Sequence, residues 1–355
     1  MYHSLFPNSQ KEVYTANENI DFNLGNVGRA IVPGSLRLTG KIRFLVDGVR
    51  ADGTDDIKYD SKSGIHGFWD NLNTSFEKSG NIEALQGYGR YIHMKNESNN
   101  RDIDAMCKVK LMTALNAGDD EQTKFIAAGI RVDGVAEDQT FSMTPDFVLN
   151  NASAPINYSK TGVVMFSIRT TPNQDVLFGT AVNMTYEIRD LQLQYKTTEE
   201  VQGKVVMVKK VMLKNTINST NQLLQNFVPL DITESVAVSF IQTAHLSNVG
   251  FNQYATEQLP SVTDVEFNLN HNNAFISYVY NNPEEVQMNY LNAISNRPYN
   301  ENSLDKLQKG VGYGIGHKLP SVNLSQRKLG IRIQSQVSNI SPYSVFSYYQ
   351  GVIAM

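Results

Sequence analysis

The stretch VPGSLRLTGKIRFL at positions 32–45 returns as VPLDITESVAVSFI at 228–241, at a constant offset of 196. Val32 and Pro33 meet Val228 and Pro229. Leu36 meets Ile232, Ile42 meets Val238, Phe44 meets Phe240 and Leu45 meets Ile241. The apolar positions agree while the polar ones have changed, which is what remains when two segments hold the same place in two related folds. Both stretches alternate with period two, the signature of a half-buried strand. A chain of 355 residues has room for two such units of ordinary size. The repeat therefore predicts a duplicated all-β architecture.

The rest of the chain reads as short strands between polar turns. The segment 31–46 ends at Asp47-Gly48, a hairpin signal. In MTYEIRDLQLQYKT the apolar set shifts from Met184, Tyr186 and Ile188 to Leu191, Leu193 and Tyr195, which predicts a β-bulge near Arg189-Asp190. GIHGFWDNLNTSFE reads as one strand. GNIEALQGYGRYIHM reads as a short helix capped by Ser79 or Asn81, with Ile82 and Leu85 on one face, stopped by Gly87 and Gly89. A turn is expected at Pro172-Asn173, and Pro283 opens a helical turn in NPEEVQMNYLNAIS. The closing SPYSVFSYYQGVIAM carries apolar residues on both alternating sets, as in a strand buried on both faces. Residues 1–20 are polar and patternless and read as a flexible or partner-dependent N-terminal arm. The charged TTEEVQG at 197–203 reads as a linker, leaving 21–196 and 204–355 as two β-sandwiches.

Composition excludes several classes. Charged residues are 19% and the net charge is −4, with Lys209-Lys210 the longest basic run. No basic stripe for nucleic acid is visible. The 36 Asn favour ordered turns, and 17 Tyr with 16 Phe argue against disorder. The single Cys107 excludes an intrachain disulfide framework and reads as a buried inert thiol. The N-terminal residues lack the pattern of a secretory leader and no apolar run approaches a membrane span, so synthesis and folding are expected in a reducing cytoplasm.

No chemistry-bearing constellation emerges. GVGYGIG at 310–316 has the glycines of a phosphate loop, but Pro320 and the lack of a following helical period favour a closely packed strand. DGTDD at 52–56 and AGDDE at 117–121 lack calcium-loop spacing and read as solvated acidic turns. The histidines at 3, 66, 93, 245, 271 and 317 show no zinc spacing, and His66 reads as a packed strand residue. Trp69 reads as core rather than as a sugar-stacking platform. Accordingly no catalytic, cofactor-binding or metal-ligating residue is assigned and no cofactor is expected. The chain is expected to work through its surfaces, not as an enzyme, with no specific nucleic acid and no small-molecule substrate.

The run GIHGFWDNLNTSFEKSGNIEALQGYGRYIHM resembles a segment of the double jelly-roll major capsid proteins of tailless icosahedral viruses, the lineage of membrane-containing bacteriophages and the adenovirus hexon. The matching positions are Gly64, His66, Phe68, Asp70 and Leu72, then Ile82, Glu83 and Tyr88. SPYSVFSYYQGV is similar to the closing strand of the second jelly roll in that family, and MTYEIRDLQLQY to that of the first. The second half shows no counterpart of GIHGFWDNL or IEALQGYG.

The resemblance implies two tandem eight-stranded jelly rolls with long loops and a few short helices. It further implies a non-catalytic homotrimer forming a pseudo-hexagonal capsomer of an icosahedral virion shell. Its partners would be neighbouring capsomers, penton and minor capsid proteins, and an internal virion membrane met by the N-terminal arm. Other functions suit a pair of sandwiches too: a viral spike or receptor-binding protein, a carbohydrate-binding protein, or an enzyme acting on polysaccharides.

Overall fold

In the computed structural model, residues 26–27, 53, 61, 98–129, 132–137, 258, 260–261, 272–273, 295–313, 325–327 and 336–340 are excluded from description, and all others are described. The first half contributes β1 (Tyr2–Leu5), β2 (Val13–Tyr14), β3 (Asn19–Leu24), β4 (Arg29–Ile31), β5 (Arg37–Val46), β6 (Val49–Arg50) and β7 (Ile57–Tyr59). It continues through β8 (Trp69–Phe76), β9 (Gly80–Leu85), helix α1 (Tyr88–Glu97), β10 (Ile130–Arg131), β11 (Gln139–Met143), β12 (Ile156–Asn157), β13 (Val164–Thr170), β14 (Leu177–Gly179) and β15 (Met184–Glu199). The second half contributes β16 (Val206–Ile217), β17 (Asn221–Phe227), β18 (Ile232–Gln242), β19 (Val262–His271), β20 (Ala274–Tyr280), helix α2 (Pro283–Ile294), β21 (Ile315–Val322), β22 (Lys328–Ser335) and β23 (Tyr343–Ala354).

The second half shows its topology most plainly. Its sheets run β16-β23-β18-β21 and β17-β22-β19-β20. Numbered within the unit, these are strands 1-8-3-6 facing strands 2-7-4-5, the strand order of a jelly roll. The first half repeats it. One sheet runs β11-β5-β15, with β1 and β2 both paired to β15, and the other runs β3-β13-β8-β9. If β1 and β2 are taken as one interrupted first strand, the orders are again 6-3-8-1 and 2-7-4-5. The fold is therefore all-β, two jelly rolls in tandem.

The repeated motif occupies the third strand of each unit. Shifted by 196, β5 covers 233–242, and β18 is Ile232–Gln242. In both units that strand pairs with the last one. Phe44 lies opposite Tyr186, and its counterpart Phe240 opposite Val345. Phe44 and Phe240 are both buried. The Val-Pro pair comes just before each strand, where a missing N–H costs no ladder bond. The first β-hairpin turns at Asp47-Gly48 with both residues at positive φ, 49° and 77°, as a two-residue type I′ turn requires. The bulge in β15 is present: pairing with β5 slips between Arg189 and Gln192, and Asp190 has φ 51°. The helix opened by Pro283 is α2, and β23 is buried on both faces along most of its length.

Several expectations are corrected. Residues 1–20 are not a free arm. They supply the first strand of the first jelly roll, with Tyr2–Leu5 paired to Lys196–Leu193, Val13 and Tyr14 paired to Arg189 and Ile188, and the Met1 ammonium donating to the Thr197 carbonyl at 2.7 Å. The segment looked patternless because the strand is interrupted, so period two never runs long enough to show. The 197–203 linker is partly strand, since β15 continues to Glu199 by pairing with β4. GIHGF at 64–68 is a 3₁₀ turn, and the strand starts at Trp69. The helix placed on GNIEALQGYG is β9 followed by α1. Glu83 and Leu85 point inward on alternate positions, and Gly87 at φ 61° turns the chain into the helix instead of ending it. The turn expected at Pro172-Asn173 is present, as a single helical turn at 173–176. The second half does have a structural counterpart of the β9–α1 segment: in each unit a helix follows the fifth strand. Cys107 and AGDDE lie outside the described residues.

Of GVGYGIG, residues 310–313 also lie outside them, but Gly314 and Gly316 are explained by α2. A Cβ at Gly316 would stand 2.9 Å from Ala293 Cβ and 3.0 Å from Tyr290 Cα, and one at Gly314 would stand 2.7 Å from the Tyr290 ring as well as 2.1 Å from the Val238 carbonyl oxygen of β18. The glycines let a helix lie against the sheet.

Two outcomes follow from this architecture. Deleting residues 1–14 uncovers the edge of β15, so the thermal midpoint should fall by several degrees in calorimetry, whereas loss of a free arm would leave it unchanged. His317 on β21 sits inside the second core against Phe267, Tyr278 and Tyr280, and burial pushes its pKa down to about 4. The folded state therefore binds fewer protons than the unfolded one between pH 6.5 and about 4, and stability is lost as pH falls through that window, by at most about 3 kcal/mol. Urea unfolding at pH 7 and pH 4 should show a smaller acid loss in His317→Phe than in the parent.

Candidate functional site

The densest concentration of unusual groups is the junction where the two jelly rolls meet. It is built on β23. Along that strand Val345 and Tyr349 face the second core, while Phe346 and Tyr348 face the other way and join the hydrophobic cluster of the first jelly roll. Ala237 and Ile241 of β18 do the same, with Tyr290, Leu291, Ala293 and Ile294 of α2. The outer face of the second unit's β16-β23-β18-β21 sheet is thus an interior surface.

The first unit meets that face with a socket made of glycines. Gly67 of the 3₁₀ turn and Gly89 of α1 approach so closely that a Cβ on Gly89 would lie 2.9 Å from Gly67 Cα. Tyr254, from the second unit's long connection between β18 and β19, lies over both. The same Cβ would stand 2.8 Å from its Cζ, and a Cβ on Gly67 would stand 2.9 Å from its Cε2. The Tyr254 hydroxyl donates to the Gly67 carbonyl at 2.5 Å. Nearby, the Tyr348 hydroxyl donates to the Gly87 carbonyl at 2.8 Å, and its ring packs on Tyr91. Two tyrosines of one unit therefore cap backbone carbonyls of the other, in sites where a side chain has no room.

Charged groups are buried among these rings. Glu83 is 1% exposed; its two carboxylate oxygens accept the N–H of Val148, at 2.7 Å, and that of Lys210, at 2.8 Å. One carboxylate thus ties a first-unit loop to the first strand of the second unit. Burial raises its pKa, against the pull of the Lys210 cation and those two N–H groups. Lys210 reaches Asp146 at 2.8 Å, which also pairs with Lys95 at 2.5 Å. Burial disfavours the Asp146 anion, but the two ammonium groups outweigh it and hold its carboxyl far below the usual range.

Asp60 is likewise held low against desolvation, chiefly by His93 at 2.8 Å, and accepts from Asn252 of the second unit at 2.7 Å. The Arg90 guanidinium, buried and with its pKa lowered by desolvation, donates to the Gln253 carbonyl and lies 4.1 Å from the centre of the Phe346 ring. The connection that carries Gln253 and Tyr254 also accepts the Gly179 N–H on the Val249 carbonyl at 2.8 Å and bonds Ser247 to Asp175 at 2.9 Å. It acts as a strap from the second unit across the first.

The residues singled out in the sequence gather here. Gly64 and His66 lie in the 3₁₀ turn, and His66 shares a 2.7 Å hydrogen bond with the Tyr88 hydroxyl. That hydroxyl also accepts the Asp146 N–H at 2.9 Å. Phe68 and Leu72 are core, and Asp70, mostly desolvated, has a raised pKa. Trp69 is fully buried and donates from its indole N–H to the Met143 sulfur at 2.9 Å. Tyr254, Arg90, Asp146 and Lys210 are not legible as a group, because they come from four distant segments. The glycine spacing at 67, 87 and 89 was the available signal. Asp52 accepts from Thr54 in an exposed turn, and Asp56 accepts from Thr180 and pairs with Lys58. Among the described residues no three His, Cys, Asp or Glu side chains group as metal ligands, and no helix is long and apolar enough to cross a membrane. What the arrangement does physically is fix two sandwiches in one orientation.

No protein-family model matches the chain and no curated protein matches it in sequence. Solved structures do match it in fold. It is similar to the Faustovirus major capsid protein, with a TM-score of 0.64 at 9% identity, over 100% of this chain and 90% of that one. It is similar to the PBCV-1 protein VP54, fitted into a reconstruction of the virophage Sputnik, with a TM-score of 0.60 at 8% identity, over 100% and 94% of the two chains. For the STIV major capsid protein the TM-score is 0.53 at 11% identity, over 98% and 95%. Each match spans both jelly rolls, so the tandem arrangement is shared as well as the single sandwich.

The socket gives a sign test. Gly→Ala inside a helix ordinarily stabilises by up to about 1 kcal/mol. Gly89→Ala should instead destabilise, because Tyr254 and Gly67 block the new methyl. Tyr254→Phe should cost about 1 kcal/mol by removing one of the two hydrogen bonds to the Gly67 carbonyl, which keeps the one from the Thr171 hydroxyl at 2.8 Å. Denaturant unfolding measures both.

Proposed function

We propose that this chain is a viral major capsid protein whose three copies form a pseudo-hexagonal capsomer, and that such capsomers tile an icosahedral shell. One observation carries the reading: two jelly rolls of identical strand order are fixed rigidly side by side in one chain, and that whole arrangement is shared with capsid proteins end to end. A binding module needs one sandwich and one open face. Here buried Asp60, Glu83, Arg90 and Lys210 each bond from one sandwich to the other and hold the two in register, which is the requirement of a building block. Three copies present six similar sandwiches, so a trimer can fill a six-neighbour site.

The partners inferred are other copies of the chain within and between capsomers, together with penton and minor capsid proteins, and the place of action is the virion shell. The work is structural, not catalytic. Because residues 1–20 are built into the first sandwich, they are not assigned to an internal membrane.

Light scattering after size exclusion, near neutral pH and moderate salt, should give about three times the 39.7 kDa chain mass. A clean monomer at high concentration would overturn the trimeric reading.

A further inference from the structure

The repeat allows the outer faces of the two sandwiches to be compared place by place. On β5 and β15, Lys41 lies opposite Arg189 and Arg43 opposite Glu187. At the same places on β18 and β23, Ala237 lies opposite Tyr348 and Ser239 opposite Phe346. In the second unit these positions are buried, beneath α2 and the first jelly roll. In the first unit they are charged and partly exposed: Lys41 is 46% exposed and Arg189 32%. Lys41 pairs with Asp190, Arg43 with Asp138 and Arg189 with Glu187. Arg37 and Lys196, on the same face, have no carboxylate partner among the described residues, so the face carries surplus positive charge. Arg37, Lys196 and Tyr2 border a hollow of about 400 Å³ on it.

Within the chain, the element that reaches the corresponding face of the second unit is the first turn of α1. Arg90, the third residue of that helix, lies on Phe346, and Tyr91 packs on Tyr348. Helix α2 follows the fifth strand of the second unit as α1 follows that of the first. Its third residue is Glu285, preceded by exposed Glu284, and neither carboxylate has an ion-pair partner among the described residues. Exposed Met288 and Val279 lie near in sequence. If the relation between first and second unit is repeated from the second unit to the first unit of another copy, the contact is head-to-tail and closes a ring. The repetition carries an acidic turn onto a basic face.

We infer that the outer β5–β15 face of the first jelly roll is the docking surface for a second copy of this chain, contacted by the acidic first turn of that copy's α2. This rests on the trimer reading above and adds which faces meet and by what chemistry. The contact is made by partly exposed charges where the intrachain junction is aromatic and its charges are buried, so copies associate by a salt-sensitive lock while the two units of one chain do not separate.

The test is charge reversal with rescue, read as mass by light scattering and as fold by circular dichroism. K41E/R189E should turn the trimer into a monomer with a parental spectrum, E284K/E285K should do the same, and all four changes in one chain should restore the trimer. A misfolded double variant is not restored by distant changes, so rescue separates docking from folding. A monomeric parent would remove the trimer reading itself. A trimeric parent whose K41E/R189E variant stays trimeric would overturn this inference and leave that reading intact. Dissociation without rescue would overturn the assignment to α2.

Discussion

A β-sheet with apolar side chains on both faces cannot stand beside water, and β23 is such a strand. Tyr343, Val345 and Tyr349 fill the second core, while Phe346 and Tyr348 project outward. Burying a large apolar side chain is worth about 1.5–3 kcal/mol. Those two outward rings alone therefore commit the second sandwich to a neighbour by roughly 3–6 kcal/mol, a large part of a domain's net stability. The neighbour is the first sandwich of the same chain. The two units share one hydrophobic cluster at the boundary, so they are coupled and do not pivot as beads on a linker.

The polar groups at that boundary follow from the same constraint. Once rings from both sides exclude water, every backbone group near them needs a partner. Glu83, Asp60 and Asp146 supply acceptors, the tyrosine hydroxyls of 254 and 348 supply donors, and the lysines and His93 offset the buried anions. The glycines at 67, 87 and 89 are what let the rings come close enough. Three physical demands, close approach, hydrogen-bond satisfaction and charge balance, fall largely on one stretch of the first unit, from Asp60 to His93, joined by Asp146.

That concentration explains how much could be read from the sequence. The third strand was legible because its core side chains in both units kept size and spacing, as Phe44 and Phe240 show. The bulge at Asp190 and the turn at Asp47-Gly48 were legible because each has a local backbone cause. The first strand was not legible, since two short pieces separated by a turn carry no period, and its identity comes entirely from pairing with residues almost 200 positions away. β9 was misread as helix because Ile82 and Leu85 are three apart. The inward Glu83, which carries the alternation, is a charge that only a tertiary partner makes tolerable. The junction was half legible: Gly67, Glu83, Gly87, Gly89 and Arg90 fell in one run, while Asp60, Asp146, Tyr254 and Lys210 had nothing local to mark them.

The pairing of the first strand has a further consequence, for synthesis. Residues 2–5 leave the ribosome well before their partners, residues 193–196. At about 5–20 residues per second the segment waits on the order of ten seconds or more for the strand it will join. During that interval the sheet that holds β15 cannot close, and the growing chain holds unpaired edges. The segment is suited to waiting: its pieces are four and two residues long, too short to template a stray sheet. Closure of the first jelly roll is thereby tied to arrival of its last strand, just before the second begins to emerge.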